Sequence, residues 1–329
     1  MPTIFLNTGF VSPNEPAMIS AFDAGFQHGV GLFETLLAVR PAAGGDSRVL
    51  FCREHLDRLA GSAKALGLTE SLHVGALEEA VQRTVDRAFL EQDAVAKLRV
   101  RLTITGGDLN LLDRSGQAPA EPRPTLLIVA TPATLYPDAM FEMGSTAVLA
   151  DYRVNPLDTT QSHKTLNYWA RLRELQVAAG RRAGEALVFQ VTNHLAGGCV
   201  SNAILIKDDE AITPICRGEE IEVAREQGRE VSEHDLAVPS ATNPGAVMPS
   251  PVLPGVTRRW ALDVLSDRGL VVRRRMVTIS DVLGADEVIL TNSSWGALPI
   301  TRVEAEPIGT GEVGEAGRGL VEAWRALVV

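Results

Sequence analysis

Lysine is scarce in this chain of 329 residues: of its 31 basic side chains only four, Lys64, Lys97, Lys164 and Lys207, are amines. Cysteine is scarcer still. Cys52, Cys199 and Cys216 are odd in number, widely spaced and form no C-x-x-C pair, which argues against a disulfide framework and for a reducing compartment. Positive charge is in deficit, at a formal net charge of −10, so no broad surface for nucleic acid or an anionic membrane is expected. Any anionic ligand has to be held by local groups. The six histidines are scattered, and no metal site is expected. No uninterrupted apolar run reaches about 18 residues, and the opening MPTIFLNTGFVSPNEP lacks a basic stretch followed by an apolar one. These absences lead to the expectation of a soluble, cytoplasmic protein.

What is present is a chain with 45% hydrophobic residues, enough for one large or two medium domains. Short apolar runs of strand length stand at 3–6, 97–105, 124–131, 185–191 and 286–292. Helical periodicity alternates with them. In residues 54–68 the apolar face recurs at Leu56, Leu59, Ala63 and Leu66, leaving Arg58 off that face. A second helix is expected from Leu166 to Ala179, with Trp169, Leu172 and Leu175 inward and Gly180 as its stop. A third starts in PGVTRRWALDVLSDRG and ends at Gly269. The proline-bracketed stretch 132–141 reads as a linker, dividing an N-terminal α/β domain (1–131) from a C-terminal α/β domain (142–329) that carries Lys164. Residues 215–250 lack periodicity and read as an inserted lid or solvated loop.

The rarity of lysine raises the question of what an amine does that a guanidinium cannot. A desolvated lysine can lose its proton and condense with a carbonyl, which arginine never does. Lys64 falls on a helix surface, Lys97 follows a charged turn and Lys207 lies among acids in IKDDE. Only Lys164, in SHKTLNYWA, stands where a polar loop meets a helix with mixed polar and aromatic neighbours. A solvated lysine at a helix start is the alternative, and composition alone does not decide between them.

Several segments in order then resemble the class IV, or fold type IV, pyridoxal-phosphate aminotransferases, which include branched-chain and D-amino-acid aminotransferases and aminodeoxychorismate lyase. They are ISAFDAGFQHGVGLFETLLA (19–38), EHLDRL, HKTLNY, GGCVSN, LPGVTR and ADEVILTNSSWGALPI. The resemblance implies a two-domain α/β fold with pyridoxal 5′-phosphate as cofactor, held on Lys164 as an internal aldimine. Displaced by the incoming amine, Lys164 would then shuttle a proton between substrate and cofactor. Arg58, the N–H groups of Val256 and Thr257 after Gly255, and Ser293 would take the phosphate. Tyr168 would meet the phenolate oxygen, and Ser294 the substrate. One departure matters: where the family has a glutamate beside the pyridine nitrogen, this chain has Gly197, which makes a poorer electron sink. The implied activity is amino transfer from an amino acid or related amine to a 2-oxo acid, in a homodimer. A lyase of the aminodeoxychorismate type, or a protein of this fold with lost turnover, are the alternatives.

Overall fold

Strand formation is clearest in Lys97–Thr105, where Leu98, Val100, Leu102 and Ile104 are buried, Arg99 is exposed, and Arg101 and Thr103 are half-buried. That period of two is the signature of a sheet with one face on a core. The structure, a computed structural model, describes residues 1–41, 45–70, 72–92, 94–108, 124–237, 243 and 245–329. It divides into two compact units, Met1–Leu135 with His163–Asn167 and Val329, and Tyr136–Ser162 with Tyr168–Val328.

In the first unit, β1 (Thr3–Leu6), β2 (Gly9–Phe10), β3 (Gly31–Val39), β4 (Arg48–Val49), β5 (Lys97–Thr105) and β6 (Leu126–Pro132) form an antiparallel sheet in the order β2-β1-β6-β5-β3-β4. Its helices are α1 (Ala24–His28), α2 (Cys52–Ala65) and α3 (Val74–Glu91). Leu56, Leu59 and Ala63 of α2 enter the core with Leu32, Leu36, Leu98 and Val100, and Leu66 packs against it, as the helical periodicity requires. The strand β3 escapes a reading by alternation, because eight of its nine residues are buried and only Thr35 is half-buried.

The lysine segment is fastened to β3. The Phe33 N–H donates to the Lys164 carbonyl at 2.9 Å, and the Leu166 N–H to the Gly31 carbonyl at 3.0 Å. Gly31 is required for this approach, since a Cβ there would lie 2.7 Å from both the Ile104 carbonyl and the Leu166 side chain. These backbone bonds group His163–Asn167 with the first unit, whereas a division along chain order assigns Lys164 to the C-terminal part.

The second unit carries a mixed sheet of β7 (Ser145–Val154), β8 (Glu185–Gln190), β9 (Leu195–Gly198), β10 (Asn202–Lys207), β11 (Glu210–Pro214), β12 (Val271–Arg275), β13 (Glu287–Asn292), β14 (Gly296–Val303) and β15 (Glu306–Pro307). Their order is β12-β11-β10-β13-β14-β7-β8-β9, with β15 on β14. The helices are α4 (Ala139–Glu142), α5 (Trp169–Gly180), α6 (Glu220–Glu226), α7 (Val256–Asp267), α8 (Ile279–Leu283) and α9 (Glu315–Leu327). Ile204, Ile289 and Ala297 pack under α7 and α9 on one face, and Leu205, Leu290 and Leu298 build the core on the other. The stretch 132–141 contains the unit boundary but is not all loop, because β6 runs to Pro132 and α4 begins at Ala139. Among the described residues no helix is long and apolar enough to cross a membrane.

Two expectations need correction. Helix α5 begins at Trp169 rather than Leu166, because the preceding residues pair with β3. Its buried residues are Glu174 and Ala178, while Trp169 is 82% and Leu172 48% exposed. The face is set by Glu174, whose carboxylate accepts the Asp151 N–H of β7 at 3.0 Å, a bond that hydrophobic periodicity does not register. Residues 215–250 are also more ordered than a solvated excursion. They contain α6, and Ile221, Ala224 and Val247 cluster with Val231 and Leu236. Glu220 ties the two ends, accepting from the N–H groups of Gly218 at 2.6 Å and Ser250 at 2.7 Å. Residues 238–242 and 244 of this stretch lie outside the described residues.

Candidate functional site

Two groups of polar side chains qualify, one in each unit. In the first, Glu34 of β3 is buried beneath α2, where Arg58 Nε donates to one carboxylate oxygen at 2.9 Å and Arg58 Nη2 to the other at 2.5 Å. His55 Nδ1 lies 2.8 Å from Glu34 Oε2. Burial alone would push the Glu34 carboxyl up, but the Arg58 charge and the His55 hydrogen bond outweigh it and hold it down at about 2. Burial lowers His55, opposed by Glu34 and reinforced by Arg58 and Lys164. The Glu34–His55 contact is therefore a neutral imidazole donating to a carboxylate, and the charge pair is Glu34 with Arg58. Arg58 is fixed in direction by this fork and is only 11% exposed.

Lys164 is half-buried, with Nζ 4.4 Å from the centroid of the Phe33 ring. The Arg101 guanidinium carbon stands 3.8 Å from the same centroid, so two cations share one aromatic ring. The next-door His163 is buried, its Nδ1 2.9 Å from the hydroxyl of Ser62 on α2. Arg58 and Lys164 both contribute to lowering His55. Phe33, Glu34, His55 and Arg101 were not singled out in the sequence, although the F-E-T run after glycines marked the place of the first two.

In the second unit, α7 opens at Val256 with Gly255 as its N-cap, which offers no side chain to cap its first N–H groups. A Cβ on Gly255 would collide with the Asn202 side-chain oxygen, and Asn202 Nδ2 in turn donates to the Leu253 carbonyl at 2.8 Å. The hydroxyls of Thr257 and Ser293 are 3.3 Å apart. Backbone N–H groups at the start of α7 and two hydroxyls form a donor set suited to an oxoanion, and Gly255 lets Asn202 pack closely beside it. Val256, Thr257 and Ser293 stand together there. Ser294 follows, its N–H held by Asn292 Oδ1 at 2.8 Å.

The turn between β9 and β10 adjoins this place through Asn202. Gly197 has φ +129°, and a Cβ would lie 2.7 Å from the Ser201 carbonyl and 3.5 Å from Asn202 Cα, so only glycine fits there without strain. Glu185 of β8, wholly buried, fastens the turn: its oxygens accept from the N–H groups of Ala186, Cys199 and Val200 at 3.0 to 3.2 Å and from the Ser201 hydroxyl at 2.9 Å. Burial raises Glu185 despite these donors. Arg171 Nη1 donates to the Gly198 and Cys199 carbonyls at 3.2 and 3.4 Å and lies 5.8 Å from the centroid of the half-buried Tyr168 ring, which links Tyr168 to the turn. Glu185 was detectable in the sequence as the one acid heading the apolar strand EALVFQ.

The profile of the family described as amino-transferase class IV matches residues 31–243 and 244–303. A Methanocaldococcus jannaschii protein described as "Putative branched-chain-amino-acid aminotransferase" is 25% identical over 323 residues, covering 98% of this chain and 95% of that one. The D-alanine aminotransferase of Staphylococcus epidermidis is 24% identical over 333 residues, covering 100% and 98%. Among solved structures, the branched-chain amino acid aminotransferase of Escherichia coli shares the fold at a TM-score of 0.77 and 21% identity, over 99% of this chain and 94% of that one.

Proposed function

This chain belongs to the class IV aminotransferase family, and from that premise we propose that it is a pyridoxal-phosphate-dependent aminotransferase. It moves an amino group from an amino acid or related amine to a 2-oxo acid, as a homodimer. The observation that carries the reading is the placement of Lys164: its carbonyl accepts the Phe33 N–H of β3, and its amine lies 4.4 Å from the centroid of the Phe33 ring, next in sequence to the Glu34 that Arg58 and His55 engage.

The donor set fits the coenzyme's phosphate. At the start of α7 Val256 and Thr257 supply N–H groups, and Thr257 and Ser293 supply hydroxyls; resemblance to the family would add the charge of Arg58. When bound, the coenzyme supplies the electron sink that makes the substrate α-carbon acidic. Lys164 is the point of attachment and then, as a free amine, the base and acid that takes the α-proton and returns it. Tyr168 orients the ring from the start of α5, and Ser294 contributes to substrate binding. At Gly197 the usual carboxylate is replaced by a backbone that excludes any side chain, and Glu185 spends its oxygens on the turn. That observation favours a second reading, in which turnover is slow or lost and the fold serves binding.

Borohydride reduction of the protein with pyridoxal phosphate, followed by peptide mass mapping, tests the assignment. A pyridoxyl group on Lys164, absent in Lys164→Arg, is the expected result. A label on Lys64, Lys97 or Lys207, or none at all, would sink it. Amino transfer across a panel of donors separates aminotransferase from the slow-turnover reading, and release of pyruvate and an aminobenzoate would identify a lyase.

A further inference from the structure

The stretch 215–250 encloses, within the second unit, a cavity of about 140 Å³. Pro156, Val223, Ala224, Val247, Met248 and Met276 give it apolar walls; Val223, Ala224 and Val247 are buried and the two methionines are exposed, so it opens to solvent. The walls are held by their own bonds. The buried Glu220 accepts the Gly218 and Ser250 N–H groups, the Ser250 hydroxyl donates to the Ile215 carbonyl at 2.6 Å, and the Val247 N–H donates to the Asp235 carbonyl at 2.8 Å. Such a cavity is formed in advance and takes a molecule without rearrangement.

One polar side chain of the lining is left over. Gln190 of β8 is only 4% exposed; its Oε1 accepts the Thr192 hydroxyl at 3.5 Å, whereas its Nε2 donates to no group among the described residues. The other polar groups are accounted for, since Glu220 and Ser250 are engaged in the walls and Gln227 and Arg229 are exposed. A buried amide donor without an acceptor is costly. Water settles in a cavity where it finds roughly two to four polar partners, whereas an apolar cavity of about 150 Å³ takes a molecule the size of benzene. The amide carries no charge to be answered, so the complement of these walls is an uncharged molecule, apolar in its body, with one oxygen to accept the Gln190 N–H.

We propose that this cavity is a binding site for a small uncharged molecule with a benzene-sized apolar body and a carbonyl oxygen that accepts from Gln190 Nε2. The site lies wholly in the second unit and does not depend on the aminotransferase reading. Its two methionines report on it. In the full chain carrying carbon-13 methionine methyls, titration with benzamide should shift the Met248 and Met276 resonances and leave those of Met18, Met140 and Met143 in place. α-Methylstyrene, which has the same shape without the acceptor, should shift the same pair. Gln190→Met should weaken benzamide on the order of 10-fold, with α-methylstyrene and the melting temperature unchanged. Ala224→Leu, which fills the cavity and leaves Gln190 in place, should abolish both titrations. No shift at either methionine up to the solubility of benzamide overturns the proposal, as do shifts that persist in Ala224→Leu. A Gln190→Met variant that weakens both probes alike, or neither, overturns the assignment of the carbonyl to Gln190.

Discussion

Each unit buries one glutamate beside its polar cluster, and the two are satisfied by opposite means. Glu34 is met by a full counter-charge, Arg58, with a neutral His55 alongside, and its carboxyl is held at about 2. Glu185 is met by three backbone N–H groups and a hydroxyl, with no cation bonded to it among the described residues, and burial pushes it up. A charged partner fixes the direction of a long side chain that must itself face an anion. Neutral donors instead fasten a backbone turn. The first arrangement orients Arg58, and the second shapes the Gly197 turn.

The largest effect expected from breaking this contrast is in Glu34→Gln. The amide keeps the shape but removes one charge of a buried, forked ion pair, which costs on the order of 3–5 kcal/mol. Urea denaturation at neutral pH should show the loss, and coenzyme affinity should fall with it as Arg58 loses its orientation. A variant as stable as wild type would mean that Arg58 is compensated from elsewhere.

That pairing was out of reach of the sequence, although much of the frame was not. The strand Lys97–Thr105 and the buried stripe of α2 follow from periodicity, because one face of each is wet. The strand Gly31–Val39 has both faces covered and shows no period, so its glutamate could not be placed opposite Arg58. Lys164, Val256, Thr257 and Ser293 could be picked out because they sit in short runs whose local geometry suggests a role. Glu34 and Glu185 act through partners 24 and 16 residues away, and nothing in a linear charge pattern names such partners. Trp169 and Leu172 misled for a related reason: a helix face can be decided by one buried carboxylate, Glu174, rather than by its apolar residues.

A smaller effect tests what shapes the second region. If the turn is set by the conformation of Gly197, and Glu185 only fastens it, then Gly197→Ala should cost about 1–3 kcal/mol, the range for a non-glycine residue in a sparsely populated backbone region. The contact of its Cβ with the Ser201 carbonyl adds to this. Gly197→Glu, which restores the family's carboxylate in composition, meets the same backbone constraint and should be no more stable than the alanine variant. A glutamate variant markedly more stable than alanine would show that the turn can relax to accept a side chain.

The smallest effect is the sharpest discriminator, because it is a slope and not a size. Glu185→Gln removes one acceptor facing several donors and should cost about 1–3 kcal/mol at acid pH. A carboxyl with its folded pKa raised contributes stability that declines as pH climbs from the unfolded value near 4.5 towards the folded one. The gap between wild type and Glu185→Gln should therefore narrow with rising pH. For Glu34, depressed to about 2, the sign is reversed: its contribution is complete above 4.5 and disappears as pH falls through 2, so the gap to Glu34→Gln should widen as pH rises between those limits and then stay level. Urea midpoints of the three proteins across this range would show the two gaps moving in opposite directions. Gaps that move together would mean that the donors on Glu185 outweigh its burial and hold it ionised, as Arg58 holds Glu34.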